Sequence, residues 1–387
     1  MTELAFKEPQ ITYPDASVIG RWWRTVDKLS IAALIVLILT GLLIGFAASP
    51  PLAEKNNLPD FHYVIRHVVF AIMAVGGMLV LSMFTPEQVR RNAVRLFAVA
   101  LVALLLLPVL GTDFGKGAVR WYSLGFMTLQ PVEFLKPAFV VTAAWMMAAS
   151  AQPNGPPGVT ISMVFAGGIA LALALQPDFG QAMLVLAAWG VMFFIWGASM
   201  ILILVLGAGV IGGLWFAYHN SEHVARRIDA YWSTELDPTT QLGYATNAIL
   251  QGGLFGVGAG EGSVKWSLPD AHTDFVIAVA AEEYGLLLCL MVIGLFLFIT
   301  LRAFSKLMKE RDMFARLAGA GLATLFGLQA VINIGVTLRL LPAKGMTLPF
   351  ISYGGSSMLA VALGMGMLLA LTRKRPQDHV TDMIGGR

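Results

Sequence analysis

The stretch that decides the fold is LSIAALIVLILTGLLIGFAA, residues 29–48, which carries no charged side chain. As a helix, a run of about 20 apolar residues crosses a hydrocarbon core roughly 30 Å thick. Nine further apolar runs lie near residues 64–84, 95–111, 132–150, 160–176, 180–197, 199–218, 274–301, 314–336 and 346–371. Lipid offers no hydrogen bonds to the backbone, so such runs span as helices. The sequence therefore predicts an all-α, polytopic integral membrane protein with about ten transmembrane helices.

The composition agrees with a chain whose main solvent is lipid. Hydrophobic residues make up 57% of the 387 residues and charged residues 13%, with a mean hydropathy of +0.74. Residues 1–28 lack the short apolar core and small-residue cleavage site of a signal peptide, so we expect the first run to remain as an anchor. The net charge is +3, but the basic residues are scattered at span ends, and no nucleic-acid partner is expected.

The basic residues also predict the orientation of the spans. They cluster before span one, after span two, between spans eight and nine, and after span ten: Arg21, Arg24, Lys28, Arg90, Arg91, Arg95, Arg302, Lys306, Lys309, Arg311, Arg316, Arg373, Lys374 and Arg375. Lys and Arg favour the cytoplasmic side. We therefore expect cytoplasmic tails at residues 1–28 and 373–387, a transmembrane domain at 29–372, and one large extracytoplasmic loop at 219–273 between spans seven and eight.

Ten basic residues are predicted at the outer face or within spans, where topology alone disfavours them: Lys55, Arg66, Lys116, Arg120, Lys136, Arg226, Arg227, Lys265, Arg339 and Lys344. Positive charge therefore has a use at the outer face. Within the large loop, the helical spacing of apolar residues over 220–232 predicts a helix lying in the membrane interface. The glycine-rich residues 241–262 are expected to form a flexible stretch near the lipid headgroups.

Carboxylates mark the boundary of span eight. In Leu268-Pro-Asp-Ala-His-Thr-Asp274 the polar segment ends where the span begins, so Asp274 is either a site residue or a plain helix cap. Glu282 and Glu283 follow inside the span, where ionised side chains are costly. Helical geometry makes Glu282 the better candidate to share a site with Asp274. Pairing with a basic residue of a neighbouring span is an equal alternative for either glutamate.

Two further clusters combine charge with interrupted helix. Glu133 and Lys136 lie three residues apart at the start of span four, after Arg120-Trp121 in the preceding loop. They form either a self-neutralising ion pair or part of a polar cavity reached from outside. In span ten, Ser352, Ser356 and Ser357 surround two glycines, which indicates an interrupted helix against a cavity or close packing of helices through small residues. Gln176-Pro-Asp178-Phe-Gly180 is interpreted as an ordinary outer turn.

Several common kinds of chemistry have no motif in this sequence. There is no P-loop, GxSxG or HExxH sequence, and the histidines at 62, 67, 219, 223 and 272 lack metal-ligand spacing and are interpreted as interfacial side chains. The single cysteine, Cys289, allows neither an intrachain disulfide nor a thiolate metal cluster. ATP hydrolysis, redox chemistry and a zinc centre are therefore not expected.

The chain resembles the SEDS family (shape, elongation, division and sporulation), polytopic glycosyltransferases that polymerise the lipid-linked peptidoglycan precursor, lipid II. The resemblance covers nearly the whole chain beyond span one. Its most specific parts are Arg120-Trp121, Gln130-Pro131 with Glu133 and Lys136, Gln176-Pro-Asp178-Phe-Gly180, Ala271-His-Thr-Asp274-Phe and Ile351-Ser-Tyr-Gly-Gly-Ser-Ser357. Pro342-Ala-Lys344-Gly and Leu348-Pro-Phe-Ile-Ser-Tyr are more similar to the division branch than to the elongation branch. Val132, Ala245, Asn247 and Asp270 depart from the family pattern.

The resemblance implies a peptidoglycan glycosyltransferase that acts at the outer face of the bacterial inner membrane, at the division septum. It assigns the essential carboxylate to Asp274, which suits a general base for an attacking sugar hydroxyl. Glu133 and Lys136 complete the implied catalytic set, with Glu133 orienting Lys136. The implied substrate-binding residues are Arg120, Trp121, Lys265, His272, Lys344, Ser352, Ser356 and Ser357, and Arg339 is a further candidate cation.

The resemblance also implies ligands and partners. The substrate is lipid II, whose diphosphate is expected to carry Mg²⁺ or Mn²⁺, although the sequence shows no dedicated metal cage. The protein partners are a class B penicillin-binding protein, a transpeptidase, and other division proteins, in addition to membrane lipids. Two alternatives remain open at this point: a transporter that flips lipid II, and a catalytically silent division scaffold.

Overall fold

The computed structural model describes residues 17–115, 118–232, 240–342 and 345–374. Within these ranges the helices are α1 (Val18–Thr25), α2 (Lys28–Ala48), α3 (Pro50–Lys55), α4 (His62–Ser82), α5 (Pro86–Leu110), α6 (Pro131–Ser150), α7 (Gly158–Leu175), α8 (Phe179–Trp196), α9 (Met200–Asn220), α10 (Glu222–Trp232), α11 (Gln241–Gly252), α12 (Val276–Leu307), α13 (Met313–Thr337) and α14 (Gly355–Leu371). A short antiparallel hairpin joins β1 (Tyr122–Ser123) to β2 (Thr128–Leu129). The sequence pattern gave no sign of this hairpin.

The predicted number of apolar helices is confirmed for the part of the chain that the structure describes. Nine helices are long and apolar enough to cross a membrane, and the shorter apolar helix α14 makes ten. Span ten begins at Gly355 and not at residue 346 as predicted. The preceding segment is not helical, and Phe350 there has a φ of +64°, a left-handed conformation that no α-helix contains. The apolar composition of this segment is compatible with a buried non-helical backbone as well as with a membrane-spanning helix, which explains the error.

The centre of the bundle is formed by α6 and α13. In their most apolar windows, 72% of the α6 residues and 67% of the α13 residues are buried by the rest of the protein. Helix α9 is the opposite case, since none of its residues is buried. A span that is enclosed on all sides can carry polar side chains away from lipid, and α6 and α13 are therefore the helices on which such residues are found below.

The C-terminal ends of α2, α5, α7, α9 and α13 lie at the same end of the bundle as the hairpin, α10 and α11. We call this end the loop end of the bundle. The predicted helix over 220–232 is confirmed as α10. The predicted flexible stretch 241–262 is wrong for its first half, because α11 occupies Gln241–Gly252. Helix α11 packs so closely on α12 that a Cβ at Gly252 would lie 1.8 Å from the Ala281 carbonyl oxygen. Glycine in this segment therefore permits packing more than flexibility.

Candidate functional site

Asp274 lies at the loop end, immediately before α12. Its backbone N–H and that of Thr273 donate to the carbonyl of Asp270, which closes a tight turn, and Asp270 itself has a φ of +54°. The N-terminal cap of α12 is Phe275, so Asp274 is not the helix cap that the sequence also allowed. Its side chain is partly exposed. The structure thus presents this carboxylate at the end of the bundle.

The non-helical segment before α14 holds the Asp274 turn through hydrogen bonds to the turn's backbone carbonyls. The Ser352 hydroxyl donates to the Thr273 carbonyl at 2.5 Å and accepts the N–H of Leu348 at 2.8 Å. The N–H of Tyr353 donates to the His272 carbonyl at 2.9 Å. Ser352 is 3% exposed, so in this arrangement it positions the turn.

Glu133 and Lys136 form an ion pair inside the bundle. Lys136 Nζ lies 3.0 Å from Glu133 Oε2, and each side chain is 3% exposed. Gln181 on α8 bridges the pair, because it donates to Glu133 Oε1 at 2.9 Å and accepts from Lys136 at 2.8 Å. The pair lines a narrow, largely apolar cavity between α6, α13 and α14. The interpretation as an ion pair is therefore confirmed, whereas the cavity beside the pair is largely apolar and not the polar cavity of the other interpretation.

Two amides of α13 join the ion pair to the Asp274 turn, and sequence reasoning missed both. Gln329 accepts from Lys136 Nζ at 3.3 Å and donates to the Thr347 carbonyl at 2.9 Å. Asn333 donates to the carbonyls of Asp274 at 3.0 Å and Met346 at 2.5 Å. The signal that could have found them is a pair of amide side chains four residues apart within an apolar span.

Arg120 holds the turn between α7 and α8. Its guanidinium donates to the carbonyls of Gln176 and Pro177 at 3.1 and 2.8 Å, and Trp121 beside it packs edge-on against Phe114. The carboxyl of Asp178 is enclosed in the same turn. Burial raises the pKa of Asp178, Glu133 acts in the same direction, and Arg120 and Lys136 oppose the increase. The turn is thus a charged cluster and not the ordinary outer turn we expected.

The glutamates of α12 belong to a separate network, which corrects the prediction for Glu282. Glu282 Oε1 accepts the N–H groups of Ser263 and Val264 at 2.6 and 2.8 Å, and it does not share a site with Asp274. Glu283 pairs with Lys265 at 2.5 Å. The predicted alternative of a buried ion pair therefore describes Glu283, although its partner comes from the loop before α12 and not from a neighbouring span. Lys265 is 3% exposed, so it contributes no accessible charge to the Asp274 turn in this structure.

The remaining candidates fall into three groups. Ser356 and Ser357 are buried, and the Ser357 hydroxyl shares a hydrogen bond with Thr347 at 2.7 Å. His272 belongs to an aromatic cluster with Tyr63, His67 and Tyr353. His67 is 3% exposed inside the bundle, so the prediction that it is interfacial is wrong. Lys116 and Lys344, together with the side chains of Arg226 and Arg227, lie outside the described residues.

Chemically, this end of the bundle combines the partly exposed residue Asp274 with a buried cation, Lys136, and a partly buried one, Arg120. A carboxylate at Asp274 can accept a proton from a hydroxyl group, and Lys136 and Arg120 can stabilise negative charge that develops nearby. Among the described residues, no group of three or more His, Cys, Asp or Glu side chains is arranged to hold a metal ion. The site therefore suits acid–base chemistry on a charged, partly apolar substrate.

The sequence is similar to known proteins over most of its length. The family model described as cell cycle protein, which is named after FtsW, RodA and SpoVE, matches residues 27–377. A relative from Caulobacter vibrioides, the probable peptidoglycan glycosyltransferase FtsW, is 44% identical over 94% of this chain and 93% of its own length. The protein of the same name from Trichlorobacter lovleyi is 35% identical over 92% and 96%.

Solved structures share the architecture. One comes from a study titled "Structural coordination of polymerization and crosslinking by a peptidoglycan synthase complex"; it matches with a TM-score of 0.72 and 27% identity over 89% of this chain and 98% of the other. The rod shape determining protein RodA of Thermus thermophilus has the same fold, with a TM-score of 0.66 and 24% identity over 90% and 97%. The chain belongs to the SEDS family of membrane-embedded cell cycle proteins, on the FtsW side of that family.

Proposed function

We propose that this protein polymerises lipid II into glycan strands during cell division. The observation that carries the proposal is the placement of Asp274, a partly exposed acidic residue at the loop end. Asn333 holds its backbone carbonyl, and Gln329, one turn away on the same helix, accepts from Lys136 of the Glu133–Lys136 pair. The names of the relatives from Caulobacter vibrioides and Trichlorobacter lovleyi, both probable peptidoglycan glycosyltransferases, support the same activity.

The reaction follows from the chemistry of the substrate. The 4-hydroxyl of one sugar attacks the anomeric carbon of another, the bond from that carbon to the polyprenyl diphosphate breaks, and the configuration inverts. Asp274 accepts the hydroxyl proton as general base. The departing diphosphate takes the electron pair, and Arg120, Lys136 and Lys344 stabilise its charge, with Arg339 as a further cation. Lys136 is 3% exposed and acts electrostatically from inside the bundle. Glu133 orients Lys136 through their 3.0 Å contact.

The other candidates take supporting roles in this proposal. Trp121 and His272 contact the substrate at the loop end, where both side chains are partly exposed. Ser352, in the segment before α14, and Ser356 and Ser357, in the first turn of α14, shape the substrate-facing side, and Ser352 also holds the Asp274 turn through its bond to the Thr273 carbonyl. Lys265 acts by fixing the loop through Glu283.

A divalent cation enters this proposal as part of the substrate. Glu133 is engaged by Lys136 and Gln181, and Asp178 is enclosed, so Asp274 is the only one of these three acidic residues that is partly exposed. Such a donor set does not fit a resident metal centre, but it accommodates Mg²⁺ or Mn²⁺ carried on diphosphate oxygens. Electron paramagnetic resonance of Mn²⁺ should detect binding when lipid II is added to the full chain, and little binding to the protein alone. Tight binding without lipid II would contradict this role.

The partner and the location follow from the same function. We propose that a class B penicillin-binding protein crosslinks the strands that this chain makes, together with other division proteins. The synthase complex among the similar structures supports an assembly of this kind. The protein works at the septum in the bacterial inner membrane, with both termini in the cytoplasm, as the distribution of basic residues favours.

The test is a lipid II polymerisation assay on the full chain with its transpeptidase partner. Asp274→Asn should lose at least about 100-fold in rate, because the general base is removed. Asp270→Asn is the matched control, since asparagine tolerates the positive φ of that position and the backbone bonds of the turn remain. It should keep a rate within about threefold of the wild type, in line with changes outside the chemistry.

Two results would replace the proposal with an alternative. Wild-type protein that moves lipid II across vesicles but makes no glycan would establish a transporter. Normal cell division with Asp274→Asn in place of the wild type, and failure with truncated loops, would establish a scaffold.

A further inference from the structure

We propose that Gln329 and Asn333 are positioning residues for glycan transfer: side by side on α13, they set where the Asp274 base lies relative to the Lys136 cation. The inference deepens the proposed function and rests on it. The two amide side chains are each only 3% exposed, in a helix that is apolar enough to be a membrane span.

The two amides lie on one face of α13. They are four residues apart, so they are separated by about one helical turn, or about 6 Å along the axis. Each holds one of two successive carbonyls in the segment before α14: Gln329 binds Thr347, and Asn333 binds Met346. Two consecutive turns of a central helix thus fix the path of this non-helical segment.

The second hydrogen bond of each amide connects it to a residue that is proposed to act in the reaction. Gln329 Oε1 accepts from Lys136 Nζ at 3.3 Å, and Asn333 Nδ2 donates to the backbone carbonyl of Asp274 at 3.0 Å. A continuous path therefore runs from Lys136 Nζ through α13 to the backbone of Asp274. Helix α13 is the rigid element of this path, because it is among the most enclosed helices of the bundle.

The orientation of Asn333 follows from its partners. Both neighbours are carbonyl oxygens, so only the NH₂ group can face them, and the opposite orientation would bring three oxygens together. Asn333 Oδ1 is consequently buried without a hydrogen-bond partner in the part of the chain that the structure describes. Leaving an acceptor unpaired is costly, and an aliphatic side chain would avoid that cost. The two hydrogen bonds that Asn333 donates, to the backbone carbonyls of Asp274 and Met346, offset this cost.

The experiment measures kcat and KM for lipid II with the full chain and its transpeptidase partner, over a range of pH. The variants are Asn333→Asp, which keeps the size and shape of the side chain, and Gln329→Met, which removes both hydrogen bonds. Thr324→Val is the matched control, because it removes from the same helix a hydrogen bond that stays within that helix. Thermal unfolding of each variant reports on the fold.

Positioning predicts a fall in kcat of about 10- to 100-fold for both variants, with KM within about threefold of the wild type. For Asn333→Asp, the ratio of variant to wild-type kcat should fall as the pH rises, because a carboxylic acid can donate to the Asp274 carbonyl and a carboxylate cannot. Thr324→Val should keep the wild-type kcat.

Wild-type kcat in folded Asn333→Asp, or a ratio that does not change with pH, would overturn the inference while the proposed function stands. If a loss of folded protein accounted fully for the loss of activity in both variants, the inference would also be overturned, since the role of the two amides would then be structural. An inactive wild type would overturn the proposed function and this inference together.

Discussion

Lys265 Nζ lies 2.5 Å from Glu283 Oε1, and the two side chains are only 2% and 0% exposed. Glu283 Oε2 also accepts the N–H of Gly260 at 2.9 Å, and Glu282 accepts two N–H groups of the same loop. Two carboxylates of α12 therefore anchor the loop that leads into the Asp274 turn. Ionised groups in a span are used here to hold a loop against a helix.

Breaking this pair should destabilise the protein. Lys265→Met leaves the Glu283 carboxylate buried without its counter-charge, which costs about 3–5 kcal/mol. Thermal unfolding of the purified chain in detergent measures the change. Adding Glu283→Gln to Lys265→Met should recover part of the loss, because the uncompensated charge is then removed.

Lys309→Met is the control for this pair, since Lys309 is exposed and its loss should change the stability by no more than about 0.5 kcal/mol. If Lys265→Met left the stability unchanged and raised KM for lipid II, Lys265 would instead be the substrate-binding residue that the family resemblance implies.

The Glu133–Lys136 pair allows structure and chemistry to be separated. Lys136→Met alone should cost about 3–5 kcal/mol, because Glu133 remains charged and buried. The double change Glu133→Gln with Lys136→Met should recover most of the stability and none of the activity, which should stay about 100-fold below the wild type. Unfolding and polymerisation are measured on the same preparations.

Thr142→Val on α6 is the control for burial, because the Thr142 hydroxyl donates to the Ala138 carbonyl of its own helix. Activity that returned together with stability in the double variant would assign the pair a purely structural role.

Much of this fold is visible in the sequence because hydropathy is a local property. Each span carries its own apolar run, and the amphipathic spacing of α10 lies within eleven residues. Glu133 and Lys136 could be paired in advance because an interval of three residues is set by helix geometry alone. By contrast, residues 346–354 are largely apolar and mostly buried yet not helical, and composition does not distinguish a buried non-helical segment from a helix.

The parts that the sequence did not predict depend on distant partners. The pairing of Glu283 with Lys265 needs the loop to fold back onto α12, and the roles of Gln329 and Asn333 need the Met346–Thr347 segment beside α13. The sequence alone predicts a plain turn at Asp178, because spacing cannot place beside it Arg120, which lies more than fifty residues earlier.

A pH-dependent contact is expected at the other end of the bundle. Asp27 is buried, which by itself raises its pKa, but hydrogen bonds from Arg302, Lys306 and Ser30 outweigh burial and hold the pKa of this carboxyl well below its usual range. The folded pKa is lower than the unfolded one, so the contact stabilises the protein above about pH 4 and the contribution is lost as the pH falls further.

Asp27→Asn should therefore lower the stability at pH 7 by about 1–2 kcal/mol, a value reduced for the partial exposure of Arg302 and Lys306. The difference from the wild type should shrink below pH 4. Unfolding midpoints between pH 3 and 7 measure it, and Glu87→Gln, which breaks an exposed pair with Arg91, should change little. An Asp27→Asn effect that persisted unchanged at pH 3 would contradict the assignment.

Asp178 should show the opposite dependence on pH. Burial raises the pKa of this carboxyl, so its ionised form costs free energy in the folded protein that it does not cost in the unfolded chain. Asp178→Asn should therefore be more stable than the wild type at pH 8. Its unfolding temperature should be higher by on the order of 2 °C for each kcal/mol of stability gained, and the advantage should vanish near pH 4.

Arg120→Met should destabilise the wild type more than it destabilises Asp178→Asn, because Arg120 offsets the Asp178 charge. Lower stability of Asp178→Asn than of the wild type at pH 8 would contradict this account. If the stabilised variant also loses polymerisation activity, the turn retains a costly charge for the reaction and not for the fold.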